Sequence, residues 1–108
     1  MPARRELQTG SIVYGDVNGD GALDLVIGNG HWGNDEANQL LLGKPADEGG
    51  GFADEATDLP GGSRKTYCVA LGDVNGDGNL DIVIANRVQA NQLLLGQGDG
   101  TFELGPVL

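Results

Sequence analysis

The sequence predicts an all-β fold built from two similar units, each with four short antiparallel strands. The 108-residue chain contains 20 glycines, well above the usual share of about 7%, which indicates many turns and argues against long helices. Its apolar residues occur in short runs between turn-forming pairs such as Asn-Gly and Asp-Gly. No stretch shows the 3.6-residue apolar spacing of an amphipathic helix.

Two segments of the sequence occur twice. Residues 11–29 (SIVYGDVNGDGALDLVIGN) and 68–86 (CVALGDVNGDGNLDIVIAN) are identical at 12 of 19 positions, and ANQLLLG at 37–43 returns unchanged at 90–96. The spacer between the repeated segments is seven residues long in the first unit and three in the second. An insertion that is tolerated there indicates a surface loop.

This repeat divides the chain into a first unit, residues 1–57, and a second unit, residues 58–108. Each unit holds four strand-like runs bounded by turn signals. The runs are Ser11–Gly15, Ala22–Asn29, Asn38–Gly43 and Gly51–Thr57 in the first unit, and Tyr67–Gly72, Asn79–Asn86, Asn91–Gly96 and Thr101–Leu104 in the second. Four short antiparallel strands in about 50 residues are typical of one β-propeller blade, so the sequence predicts two four-stranded antiparallel β-propeller blades.

The middle strands of both units are apolar at successive residues, as in Leu25–Ile27 and Ile82–Ile84. A half-exposed strand would alternate instead, so we expect these strands to be covered on both faces, as they are between neighbouring blades. A propeller closes with four to eight blades. Two blades therefore leave two open apolar faces, which a soluble monomer should not expose.

We expect the ring to be completed by head-to-tail association of chains or by blades elsewhere in a longer protein. Whole copies give an even number of blades, and we favour a cyclic trimer over a tetramer because six blades need fewer chains and leave a narrower channel. The open faces are expected to be lined by residues such as Leu25, Ile27, Leu41, Val83 and Leu94.

Each unit also carries one acidic loop with the pattern D-x-N-x-D-G-x-x-D. Side-chain oxygens at positions 1, 3, 5 and 9 suit a hard divalent cation such as Ca²⁺, and the carbonyl at position 7 adds a main-chain ligand. The glycine at position 6 permits the left-handed bend that wraps the chain around an ion. The sequence thus predicts two Ca²⁺ sites per chain, in loops 16–24 and 73–81. Their ligands are Asp16, Asn18, Asp20, Ala22 and Asp24 in the first, and Asp73, Asn75, Asp77, Asn79 and Asp81 in the second.

Two other interpretations of the acidic loops fit the sequence less well. An EF-hand needs a bidentate glutamate at position 12 and flanking helices, but Ile27 and Ile84 occupy that position inside β-branched runs. A metal-free hairpin turn rich in Asp and Asn explains one such loop more easily than two with identical spacing.

The stretches GDVNGDGNLDIVIAN and NQLLLGQGDGTFEL resemble the FG-GAP/VCBS-type repeat of integrin-α-like β-propellers. The resemblance implies a Ca²⁺ ion in the loop between the first and second strands of each blade, with the eight side chains named above as ligands. The chain departs from the integrin pattern at Gly28-Asn29 and Ala85-Asn86, where integrins have Gly-Ala-Pro, and it lacks the Phe-Gly pair. It is more similar to the bacterial and secreted VCBS-like branch.

A second candidate site lies in the longer loop HWGNDE. His31 and Trp32 are expected at the end of the blade opposite the calcium loops, where Trp32 either meets a glycan or protein ligand or packs over a seam between blades. No spacing among the remaining carboxylates selects a glycosidase-like acid pair. We therefore expect a non-catalytic, calcium-binding building unit that serves as a structural or interaction module, for adhesion or glycan binding.

Two alternatives to that function remain open. The chain can supply blades of a propeller-type polysaccharide hydrolase or lyase, or it can be an excised or engineered two-blade unit that self-assembles. Enzymatic turnover that is lost on changing a carboxylate outside the calcium loops would indicate the hydrolase or lyase. Binding of no ligand other than calcium and further copies of the chain would indicate the excised or engineered unit.

Charge and composition narrow the choice of partners and location. Sixteen acidic and six basic residues give a formal net charge of −10, which repels nucleic acid and anionic membranes. No apolar run approaches the roughly 20 residues of a membrane helix, and the N-terminal residues lack the apolar region of a signal peptide. The single cysteine, Cys68, excludes an internal disulfide framework. We expect an extracellular or periplasmic location, since exposed calcium modules bind weakly, at about 10⁻⁴–10⁻³ M.

Overall fold

The computed structural model describes residues 9–30 and 35–106. These residues form two antiparallel four-stranded sheets, in the orders β1-β2-β3-β4 and β5-β6-β7-β8, together with one 3-10 turn at Ala46–Glu48. The predicted all-β class, with two four-stranded blades, is confirmed. The strands are β1 (Thr9–Gly15), β2 (Asp24–Asn29), β3 (Glu36–Leu41), β4 (Thr57–Arg64), β5 (Thr66–Gly72), β6 (Asp81–Asn86), β7 (Gln92–Gly96) and β8 (Phe102–Leu104).

The two blades have the same strand register. In the first blade the β1–β2 pairing ends where Gly15 lies opposite Asp24, and in the second the β5–β6 pairing ends where Gly72 lies opposite Asp81. Each acidic loop is therefore the connection of a hairpin. Because alternate connections of a meander lie at opposite ends, the β1–β2 and β3–β4 connections share one end of the first blade.

The fourth strand of the first blade differs from the prediction. The sequence predicts this strand at Gly51–Thr57, but β4 runs from Thr57 to Arg64, so the first sheet extends seven residues past residue 57. Residues 44–56 instead form a surface excursion, which is closed by the hydrogen bond from Lys44 N to Gly51 O (2.8 Å).

The sequence Pro60-Gly61-Gly62 accounts for this difference in the position of the fourth strand, because proline and glycine normally mark turns. In the structure these residues lie within β4, at the point where its register against β3 shifts. β4 is an edge strand of its sheet, where a proline without an N–H group and a bulge are both tolerated.

The hydrophobic core lies between the two blades. Its buried side chains come from both sheets and the first acidic loop: Val17, Val26, Leu40, Leu59, Val69, Ile82, Ile84 and Leu94. Burial alternates along β2, where Val26 is fully buried while Leu25 and Ile27 are only half-buried. Each blade thus covers one face of the other, and Leu94, expected on an open face, is buried between the blades.

Small residues allow the two sheets to approach closely. A Cβ atom on Gly15 would lie 2.9 Å from Leu71 Cδ1, and one on Gly28 would lie 2.8 Å from Thr66 Cγ2. The Val69 amide also donates a hydrogen bond to Ser11 Oγ across the interface (3.3 Å). At the far end, Lys65 forms an ion pair with Asp35.

The described residues contain no helix that is long and apolar enough to span a membrane.

The blade interface predicts that two leucines which face each other across β7 and β8 respond differently to truncation. Leu94 is 0% exposed and its partner Leu104 is 57% exposed. We expect Leu94→Ala to lower the free energy of unfolding by about 2–5 kcal/mol, since it leaves a cavity between the blades. Leu104→Ala should change it by less than about 0.5 kcal/mol. Urea denaturation followed by circular dichroism measures both, and equal losses would contradict a core between the blades.

Candidate metal centres

The first residue of each acidic loop folds the loop around its own carboxylate. Asp16 Oδ1 accepts hydrogen bonds from the amides of Gly19 (2.9 Å) and Asp20 (3.3 Å), and Asp16 Oδ2 accepts one from Gly21 (2.9 Å). In the second loop, Asp73 accepts the equivalent bonds from Gly76, Asp77 and Gly78 at 2.9, 3.2 and 2.9 Å. The two loops therefore share one backbone conformation, which needs φ of +85° at Gly21 and +87° at Gly78.

The fifth residue of each loop turns the chain toward the next strand. Asp20 Oδ1 accepts the amide of Ala22 (2.9 Å), and Asp77 Oδ1 accepts the amide of Asn79 (3.0 Å). These Asx turns use the amides of Ala22 and Asn79, whose carbonyl oxygens are the predicted main-chain ligands.

The ninth residue of each loop is buried and joins the loop to the end of the third strand. The Asp24 carboxylate is fully buried, and it accepts hydrogen bonds from the amides of Val17 and Gly43, both at 2.8 Å. Asp81 is equally buried and accepts from Val74 (2.9 Å) and Gly96 (2.8 Å). Each carboxylate oxygen keeps lone pairs for a further partner, so these residues can hold a cation as well as the backbone.

The structure brings three acids of the second loop together. One carboxylate oxygen from each of Asp73, Asp77 and Asp81 lies within 4.8 Å of the others, a grouping that can hold a metal ion. Among the described residues, the first loop does not form such a group of three. A different observation points to a cation in the first loop: Asn18 Oδ1 is buried and has no hydrogen-bond partner among the described residues. A buried acceptor without a donor costs free energy, and a cation would satisfy it.

Hydrogen bonding from the backbone favours the ionised form of the first acid in each loop. Burial by itself raises the pKa of Asp16, but amides including those of Gly21 and Gly19 together hold it below the usual value. The pKa of Asp73 is lowered chiefly by the Gly78 amide. Both carboxylates therefore favour the ionised form, which is the form that binds a cation.

Sequence reasoning missed two sets of residues that hold the strands of each blade together, one at the site and one at the opposite end. The first is the glycine that ends LLLG in each unit: a Cβ on Gly43 would lie 2.0 Å from the Leu23 carbonyl oxygen, and a Cβ on Gly96 would lie 2.0 Å from the Leu80 carbonyl oxygen. Only glycine lets the chain reach the buried carboxylate here. The signal for this glycine in the sequence is the exact recurrence of ANQLLLG.

The second missed set is a cluster of amide side chains at the opposite end of each blade. Asn38 Oδ1 accepts the amide of Asn29 (2.9 Å), and Asn29 Nδ2 donates to Gln39 Oε1 (3.2 Å). In the second blade, Asn86 makes the equivalent bonds with Asn91 (2.9 Å) and Gln92 (3.0 Å). These bonds tie the second strand to the third, which explains why Asn and Ala-Asn-Gln recur in the sequence.

The structure does not test the other predicted site. His31 and Trp32 lie outside the described residues. The structure instead shows an open cleft of about 580 Å³ beside the first acidic loop. It is lined by Asp20 together with Lys44 and Phe52 of the surface excursion, and Phe52 is exposed. The second blade lacks this excursion, since only four residues separate its LLLG from Thr101-Phe102.

The comparison with protein families agrees with this geometry. The sequence profile of the FG-GAP-like repeat matches residues 16–84 and 73–107. The chain belongs to the FG-GAP-like repeat family. No curated protein matches it significantly. The family match and the two sheets together make this chain a propeller-type building unit of FG-GAP-like repeats, which confirms the predicted resemblance to an FG-GAP-type repeat.

In this FG-GAP-like repeat protein, the burial of Asp24 and its two backbone hydrogen bonds predict that its carboxylate stabilises the fold even without a metal ion. With a chelator present, Asp24→Asn should lower the free energy of unfolding by about 1–3 kcal/mol, because the new NH₂ group cannot accept a backbone amide. The control is Asp47→Asn, at an exposed residue of the 3-10 turn, which should change it by less than about 0.5 kcal/mol. Urea denaturation measures both, and an unchanged Asp24→Asn variant would contradict the role of this carboxylate.

The lowered pKa of Asp73 predicts a pH dependence of stability. Because the pKa is lower in the folded state, the ionised carboxylate stabilises the fold above the unfolded pKa, and this contribution is lost as pH falls through the folded value. In chelator, the difference in unfolding free energy between wild type and Asp73→Asn should be constant above about pH 5 and shrink below about pH 4. Denaturation curves from pH 7 to pH 2.5 measure it, and a difference that grows as pH falls would contradict the assignment.

Proposed function

We propose that this chain is a non-catalytic, calcium-binding building unit of a β-propeller, with one Ca²⁺ ion in each acidic loop. The observation that carries the proposal is the convergence of acid oxygens from Asp73, Asp77 and Asp81 within 4.8 Å in the second loop. The first loop repeats the same residues and the same backbone hydrogen bonds. Oxygen ligands in a tightly turned loop are what Ca²⁺ prefers.

The residues that would hold the ions are those predicted from the sequence. In the first loop they are Asp16, Asn18, Asp20, Asp24 and the Ala22 carbonyl, and in the second Asp73, Asn75, Asp77, Asp81 and the Asn79 carbonyl. The unpartnered Asn18 Oδ1 supports a cation in the first loop. Two Ca²⁺ ions would add four positive charges and bring the formal net charge from −10 to about −6.

The role we assign to calcium is structural. A cation neutralises carboxylates that otherwise repel one another across each loop. Through Asp24 and Asp81, it would also strengthen the link between each loop and the third strand, at Gly43 and Gly96. Binding therefore stabilises the blade itself, and the module presents its remaining surface to a partner.

That partner is proposed to be a glycan or a protein, in an extracellular or periplasmic setting. The support comes from the cleft beside the first loop, where the exposed Phe52 ring lies near Lys44 and Asp20. An aromatic ring flanked by polar groups suits the apolar face of a sugar or an anchoring side chain. The high acidity of the chain disfavours nucleic acid and anionic membranes.

Calcium titration tests the metal sites. Isothermal titration calorimetry of the wild-type chain should give two Ca²⁺ per chain, with a preference for Ca²⁺ over Mg²⁺. Asp20→Ala and Asp77→Ala should each reduce the stoichiometry to one, because the two loops share no ligand. The control, Asp47→Ala, removes an acid outside both loops and should leave two sites. A wild-type stoichiometry of zero would overturn the proposal.

The same variants show whether calcium stabilises the fold. A ligand that binds only the folded state adds roughly 2.7 kcal/mol to the unfolding free energy at one hundred times its Kd. The melting temperature of the wild type should therefore rise with Ca²⁺, and rise less in each single-site variant. Superimposable melts in Ca²⁺ and in chelator would show that the loops are turns without a metal.

A further inference from the structure

We propose that copies of this chain associate head to tail, with the outer sheet face of the first blade of one copy bound to the outer sheet face of the second blade of the next. This contact repeats the one that joins the two blades within a single chain. The outer face of the first blade carries Ile12, Tyr14, Leu25, Ile27 and Leu41. The outer face of the second carries Ala70, Gly72, Val83, Ala85 and Leu95. The occupant of each face is the opposite face of a second copy. The proposal stands apart from the calcium sites, because none of these residues is a predicted ligand.

The internal repeat provides the first argument. Within the chain, the face of the first blade with Val13, Gly15 and Val26 packs on the face of the second with Leu71 and Ile82. The repeat maps residues of the first two strands 57 positions along the chain. Val13, Gly15 and Val26 therefore correspond to Ala70, Gly72 and Val83. The outer face of the second blade is thus the repeat of a surface that already binds a blade.

The same mapping holds in the other direction. The residues of the second blade that face the core, Leu71, Ile82 and Ile84, correspond to Tyr14, Leu25 and Ile27, which lie on the outer face of the first blade. Each unpaired face is therefore equivalent in sequence to one side of the existing interface. The two are complementary to each other and not to themselves, so the contact they predict is heterologous.

The shape of the two faces provides the second argument. In the existing interface, Leu71 and Leu80 lie against Gly15, since a Cβ there would be 2.9 Å and 3.1 Å from their Cδ1 atoms. Their counterparts on the first blade, Tyr14 and Leu23, are 67% and 55% exposed. The counterpart of Gly15 is Gly72, whose Cβ position has no atom of the described residues within 4 Å. Two large side chains are thus exposed on one face, and the notch that receives them is open on the other.

The acidic loops show the same unequal covering. In the first loop, a Cβ on Gly19 would lie 3.8 Å from the Gly98 carbonyl oxygen of the second blade, and one on Gly100 would lie 3.5 Å from Asn18 Cβ. The counterpart of Gly19 in the second loop is Gly76, whose Cβ position has no neighbour within 4 Å in the part of the chain that the structure describes. Docking of a second copy would bring its residues 44–56 excursion, the counterpart of the turn at Gly98, against this loop.

The proposal predicts a closed particle, and its mass is the first measurement. Size-exclusion chromatography with multi-angle light scattering should give three or four times the 11.1-kDa chain mass, since head-to-tail contacts close under cyclic symmetry. Tyr14→Arg removes the protruding side chain, and Gly72→Arg fills the notch from a position whose Cβ would have no described atom within 4 Å. Each variant alone should have the mass of one chain.

The decisive step mixes the two variants. The intact notch of Tyr14→Arg should receive the intact side chain of Gly72→Arg, and the equimolar mixture should form a one-to-one complex of twice the chain mass. The control, Val88→Arg, replaces a 99% exposed apolar residue in the β6–β7 connection, and it should assemble like the wild type. Melting curves check that each variant is folded, and Leu23→Arg and Ala70→Arg replace either variant that is not.

Two outcomes would overturn the proposal. A wild-type chain that stays monomeric at its highest soluble concentration would show that these faces do not bind a second copy, and that further repeats of a longer polypeptide are left as their cover. An equimolar mixture of the two variants that stays monomeric, while the wild type assembles, would show that the contact is not head to tail. Calorimetry reports calcium binding separately, so failure of one proposal leaves the other standing.

Discussion

The rest of each blade depends on a buried carboxylate that accepts two backbone amides. Asp24 and Asp81 begin the second strand of their blades, are fully buried, and hold one amide of the acidic loop and one at the end of the third strand. A buried charge is costly unless it is hydrogen-bonded, so loop, second strand and third strand must keep their relative positions. The need for glycine at Gly43 and Gly96 follows, because any side chain would separate the amide from the carboxylate.

The same buried carboxylates connect the stability of each blade to the proposed binding of a cation. Since the ninth acid already joins the loop to the sheet, a cation bound in the loop would act on the whole blade. The first acid of each loop contributes differently: Asp16 and Asp73 are exposed or partly exposed, and loop amides favour their ionised forms. Each loop therefore keeps one carboxylate for folding and offers others at the surface for a ligand.

Packing between the blades explains why two repeats of one sequence differ in their surroundings. Each sheet has two apolar faces, and stacking buries one face of each. The first blade uses its glycine-bearing face and the second its leucine-bearing face, so the remaining faces carry Tyr14 and Leu23 on one side and Gly72 on the other. This polarity is inherent in any stack of identical repeats, because every interface joins two different surfaces of the same unit.

The sequence by itself determined the all-β class, the two repeats, the hairpin position of both acidic loops and the residues that converge in the second, because short-range spacing controls all of these. Tertiary structure decided the rest. It placed Pro60-Gly61-Gly62 inside β4, where an edge strand tolerates a bulge, and buried Leu94 between the blades. A strand that is apolar on both faces does not reveal in its sequence which face meets the other blade. Packing between residues far apart in the chain makes that choice, and as a result Gly19 of the first loop is covered by the second blade while its counterpart Gly76 is not.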